Sequence, residues 1–88
     1  MATSLTFDEV EQIGKELQKK GYIISIDGDK KTIQAILKTA FEKEIINRIN
    51  EIKSIILEHR YIKNIEKQIE VRNIQYKNKI QKAIEIKF

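Results

Sequence analysis

The chain has no cysteine, no proline, a single histidine and only three glycines among its 88 residues. Without cysteine there is neither a disulfide nor a thiolate zinc site. This absence fits an intracellular, cytoplasmic protein. One histidine cannot build a histidine-based metal cluster within one chain. The N-terminal stretch MATSLTFDEV has no basic region followed by an apolar one, so no signal peptide is expected. No apolar run approaches the ~20 residues that a spanning helix needs, so no membrane partner is expected. No G-x-G-x-x-G or Walker pattern is present to cradle a nucleotide. These absences leave no evident cofactor and no evident small-molecule substrate.

An enzyme needs groups that converge. His59 lies in a Glu58-His59-Arg60 context with no nucleophile motif beside it, and reads as a solvated or helix-end residue. Asp27 and Asp29 on one turn would make a weak cation site without further ligands, and read as turn and cap chemistry. The expectation is a binding protein, not an enzyme.

The composition that remains is dominated by 19 isoleucines and 14 lysines. An AT-rich coding sequence alone would enrich both, so the lysine count carries little by itself. The placement of charge carries more. Residues 1–70 hold 12 Lys/Arg and 12 Asp/Glu, so the whole net charge of +4 falls in residues 71–88. There Arg72, Lys77, Lys79, Lys82 and Lys87 face a single carboxylate, Glu85. A localised positive segment points to an anionic partner.

Eighty-eight residues make one domain, and a chain of this size buries only about 60–65% of its unfolded surface. The N-terminal residues 1–5 read as a loose end. Thr6 and Glu9 then stand at capping-box spacing, flanked by Leu5 and Val10 at staple positions. Phe7, Val10, Ile13 and Leu17 form an apolar stripe, and Gly21 is the left-handed stop. A helix is predicted over 7–20. Gly14 weakens it, and a neighbouring backbone passing close is one reason for a glycine there. Residues 22–27 are β-branched and aromatic between two glycines, and read as a buried strand.

After the Asp27-Gly28-Asp29 turn, two continuations compete. Lys31, Ile33, Ala35 and Leu37 alternate, which would return residues 30–37 as the second strand of a hairpin. Against this, Ile33, Leu37, Ala40, Phe41, Ile45, Ile49, Ile52 and Ile56 recur in steps of three and four through a stretch without glycine or proline. The favoured reading is one long helix from Thr32 to Glu58, about 40 Å in length, ended or bent near His59. Glu44 and Arg48 support it as an i,i+4 pair. Ile45, Ile49, Ile52 and Ile56 also fit a coiled-coil seam, and so form the candidate interface of a homo-oligomer, most simply a dimer.

Residues 62–88 fit either a second amphipathic helix or a hairpin turning at Lys77-Asn78-Lys79. The hairpin is favoured, because a lone strand at 22–27 is unstable without partners and only this segment supplies them. The expected architecture is α+β: helix, strand, long helix and C-terminal β-hairpin around a small three-stranded sheet. The alternative is mostly α, a helical hairpin plus the N-terminal helix. The expected function is a small protein contacting nucleic acid through Arg72, Tyr76, Lys77, Lys79, Lys82 and Lys87, with lysines on phosphates and Tyr76 stacked on a base. The alternative is a protein-interaction or regulatory module, an adaptor or inhibitor, self-associating through the isoleucine-rich helix.

Overall fold

The computed structural model describes residues 5–38 and 41–88. Ala40, which belongs to the expected helical stripe, and residues 1–4 of the expected loose end lie outside the described residues. Leu5 is buried, as a staple residue should be.

Helix α1 (Phe7–Lys19) begins and ends on local chemistry. The Thr6 amide donates to Glu9 Oε1 at 2.9 Å, and the Glu9 amide donates to Thr6 Oγ1 at 3.2 Å. At the other end Gly21 has φ +98°, and the amides of Tyr22 and Gly21 donate to the carbonyls of Leu17 and Gln18. This is the Schellman pattern, and it releases the chain directly into strand β1 (Ile23–Asp27).

The next element corrects the favoured reading. Residues 32–36 are strand β2 (Thr32–Ile36), not the start of a helix, and β1 and β2 form an antiparallel hairpin. The turn is set by Asp27, whose Oδ1 accepts the amides of Asp29 and Lys30 at 3.0 and 3.1 Å. The physical reason is register. As a strand, this segment puts Ile33 and Ala35 against Ile86 and Ile84 on the helix side, and Thr32 and Gln34 against Lys87 and Glu85 on the other. Strand β2 thereby becomes central and pairs on both edges, which a helix there would forgo. Gly14 of α1 faces this hairpin. A Cβ on it would lie 3.4 Å from the Ile26 side chain and 3.6 Å from that of Ile24, so the close neighbours are side chains and not backbone.

Helix α2 (Glu42–His59) is therefore 18 residues long, about 27 Å, and fits within a molecule 36 Å in its longest extent. It ends where Arg60 turns extended at φ −158°. Glu44 and Arg48 pair at 3.5 Å. A short 3-10 turn (Ile65–Gln68) leads into strands β3 (Ile69–Tyr76) and β4 (Lys79–Lys87), the C-terminal hairpin. The sheet has four antiparallel strands in the order β1-β2-β4-β3, one more than expected.

The chain is thus helix–hairpin twice. Exchanging the two halves maps the strand order onto itself read backwards, with β2 and β4 as the shared centre. Both helices cover one face. Val10, Ile13 and Leu17 of α1 and Ile52 and Ile56 of α2 join Ile33, Ala35, Ile84 and Ile86 in one core. The residues of the expected seam lie in or against this core. Ile52 and Ile56 are fully buried and Ile45 nearly so, while Ile49 packs partly buried against them. The stripe offered to a second copy is covered by the chain's own sheet.

Candidate nucleic-acid interface

The second hairpin outruns the core. Ile69 and Val71 of β3 face the helix side opposite Ile86 and Ile84, but beyond them the same face continues with Asn73 and Gln75 opposite Lys82 and Ile80. Apolar residues give way to polar ones where helix cover ends, and Ile80 is left 78% exposed. The tip is a two-residue turn with Lys77 at φ 49° and Asn78 at φ 63°. Positive φ at both positions matches the strand twist and suits asparagine. The Lys77 ammonium stands 5.5 Å from the centre of the Tyr76 ring.

The six residues expected to bind nucleic acid do not form one cluster. Tyr76, Lys77, Lys79 and Lys82 gather at the tip end, with Tyr76 and Lys79 paired on the open face and Lys82 on the helix side. Arg72 lies mid-strand on the open face, where its Nε is 3.1 Å from Glu85 Oε1 and 3.3 Å from Glu70 Oε2. Glu85 is buried there and also accepts from Gln34 Nε2 at 3.1 Å. Arg72 is a partner of carboxylates. Lys87 pairs with Thr32 beside the first hairpin's turn, eight residues along the strand from Lys79, or about 27 Å away.

Other cations stand at the tip end. Strand β2 ends at the same end of the sheet as the second hairpin's tip, because β2 and β4 run antiparallel. The Leu37 amide donates to the Lys82 carbonyl at 2.8 Å and brings Lys38 to the hairpin. A groove of about 390 Å³ lies between them, walled by Lys38, Lys79 and Lys82 over Leu37 and Ile80. On the other side of Leu37 and Lys38 a second groove, about 240 Å³, has Lys20, Lys38 and Arg48 over Ile36 and Leu37.

Glu44 is the one carboxylate among the described residues lining either groove, and Arg48 holds it. Arg48 also reaches Glu51 at 3.7 Å. Tyr22 closes this side by donating its hydroxyl to Glu51 at 2.6 Å, and burial with the nearby carboxylate pushes the phenol well above its ordinary range. Among the described residues, Lys20, Lys38, Lys77, Lys79 and Lys82 have no carboxylate within ion-pair distance.

Lys20, Lys38 and Arg48 were not legible as site residues. The available signal was the alternation of residues 31–37, which as a strand would have carried Lys38 to the end of the sheet. The lone histidine ends α2, with Nε2 2.9 Å from Glu16 Oε1. Among the described residues no three His, Cys, Asp or Glu side chains converge to hold a metal ion, and no helix is long and apolar enough to cross a membrane. Compared with family models, with curated proteins and with solved structures, the chain has no match, so the reading of this end of the sheet stands on its geometry.

Proposed function

We propose that this protein is a small, non-enzymatic nucleic-acid-binding protein of the cytoplasm, whose contact surface is the basic end of the sheet. The observation that carries the reading is the groove of Lys38, Lys79 and Lys82, walled by three cations and by no carboxylate among the described residues. Lysines already paired to carboxylates would gain little from a phosphate, whereas unpaired ones release counterions when they meet it. Arg72 and Lys87 are not part of this surface.

The test is fluorescence anisotropy of labelled DNA and RNA, titrated at two salt concentrations. Micromolar or tighter binding that weakens steeply with salt is expected. Reversing Lys79 and Lys82 together to Glu lowers affinity by more than tenfold and flattens the salt slope. Reversing Lys30 and Lys31, at the turn of the other hairpin, leaves both unchanged. Equal loss from the two pairs would reduce the reading to non-specific attraction, and absence of binding at low salt would end it.

A protein-interaction reading keeps one specific support. Phe41, Ile46 and Ile80 are each more than half exposed. Sedimentation velocity tests it as self-association, with a monomer at all concentrations as the outcome that removes it.

A further inference from the structure

We infer that the ligand of this surface is a single strand, laid across the ridge of Leu37 and Lys38 with one base in each of the two grooves. This rests on the nucleic-acid reading and narrows it. The two grooves share Leu37 and Lys38, so they adjoin on either side of that ridge at one end of the sheet. Unpaired lysines stand along their length, Lys20 at one end, Lys38 in the middle, Lys79 and Lys82 at the other, while Arg48 beside Lys20 is held by Glu44 and Glu51. Between the lysines the apolar lining is the exposed Ile80 over the buried Ile36 and Leu37, with Asn73 and Gln81 beside it.

That combination selects between strands. A duplex keeps its bases stacked inside and turns phosphates outward, so an apolar floor between cations finds nothing to bury. A single strand offers both an anionic backbone and unstacked base faces. A duplex could meet this protein in one other way, with the β3–β4 ribbon entering its major groove. In that mode Tyr76, Lys77 and Lys79 at the tip make the contacts. Lys38 and Lys20, at the ends of β2 and α1, are set back from the tip, level with Lys82 and beyond, and stay outside. Lys38 is therefore the discriminating residue. It is exposed and lies outside every helix and strand, so its reversal leaves the core untouched.

The experiment measures the wild-type protein and Lys38→Glu against oligothymidylate, oligouridylate and a fully paired DNA hairpin, with circular dichroism melting to show that the variant is folded. The single strands are expected to bind at least about tenfold more tightly than the duplex, and Lys38→Glu to weaken them by about tenfold. Ile80→Ser, which removes floor and leaves charge, weakens the single strands and leaves the salt slope unchanged. Duplex binding as tight as single-strand binding, or a folded Lys38→Glu variant that binds like wild type, overturns the two-groove track while the broader reading survives. Failure of all three probes to bind at low salt overturns both.

Discussion

The two halves of the chain follow the same plan, a helix and then a hairpin, and differ in how far the hairpin goes. In the first half β1 and β2 are five residues each, and β2 is buried at four of its five positions. The turn between them is occupied with its own hydrogen bonds through Asp27. In the second half β4 runs nine residues, and the outer part of the hairpin extends past the helices with Asn73, Gln75, Lys82 and Ile80 on the face that would otherwise be core. Strand pairing holds that extension in shape without burial. Residues there are released from packing, and Lys77, Lys79 and Lys82 stand there close together with Glu85 as the one carboxylate on β4. The lesson is general: where a regular element outruns its hydrophobic cover, its side chains answer to something other than the fold.

The largest effect expected from this contrast sets a core isoleucine against the one at the tip. Ile56 is fully buried and Ile80 is 78% exposed. Ile56→Ala removes packed methyl groups and leaves a cavity, costing about 2–5 kcal/mol. Ile80→Ala changes stability by less than about 0.5 kcal/mol. Urea titration of both variants measures the difference. Comparable losses would mean that the tip is packed after all and that the two halves do not differ as described. The same experiment bears on Ile45, Ile49, Ile52 and Ile56 as a seam. A loss of stability at Ile56 that is independent of protein concentration is what a core residue gives, and a dimer contact would not.

The halves also differ in how far the chain announced them. Helix α1 was legible because its signals are local: Thr6, Glu9 and Gly21 each act within five residues of the group they satisfy. The C-terminal hairpin was legible by a non-local argument, since a strand at residues 23–27 demands partners. Strand β2 was misread because Ile33 and Leu37 fit two periods at once. They stand four apart, as on a helix, and on alternate positions with Ala35, as in a strand. Only the pairing of Ile33 and Ala35 with Ile86 and Ile84 decides between them, and that contact is 49 or more residues away in sequence. The site inherited the error. Lys77, Lys79 and Lys82 were visible as a basic segment, but Lys38 joins them only once β2 is central. Arg72 looked like one more cation until Glu85 was found buried beside it.

A smaller effect sharpens the contrast from the side of the first half. Gly14 interrupts α1 in an otherwise well-determined unit, and a methyl group there would stand at ordinary contact distance from Ile26 and Ile24. Gly14→Ala is therefore expected to stabilise the protein by up to about 1 kcal/mol through helix propensity. Thermal unfolding reads the change. A destabilised variant would mean that β1 cannot yield the few tenths of an ångström involved, and that the glycine is there for packing.

The smallest effect is one of pH, and it too belongs to the first half. The Glu9 carboxylate is held below its ordinary value of 4.5, first by the Thr6 amide that donates to it, and then by the Thr6 hydroxyl contact and the Arg60 guanidinium. A carboxylate whose folded value is depressed contributes stability above the unfolded value and loses it as pH falls through the folded one. The expected signature is a melting temperature that declines on acidification below about pH 4.5. Glu9→Gln keeps an oxygen to accept the Thr6 amide but removes the titrating charge, so its acid decline should be shallower than that of wild type. Glu66, held low first by its own backbone amide and then by Lys53, gives the second half a carboxylate with the same sign of shift, and Glu66→Gln is the matched control. If Glu9→Gln leaves the acid limb unchanged while Glu66→Gln flattens it, the capping box of α1 is not the acid-sensitive element.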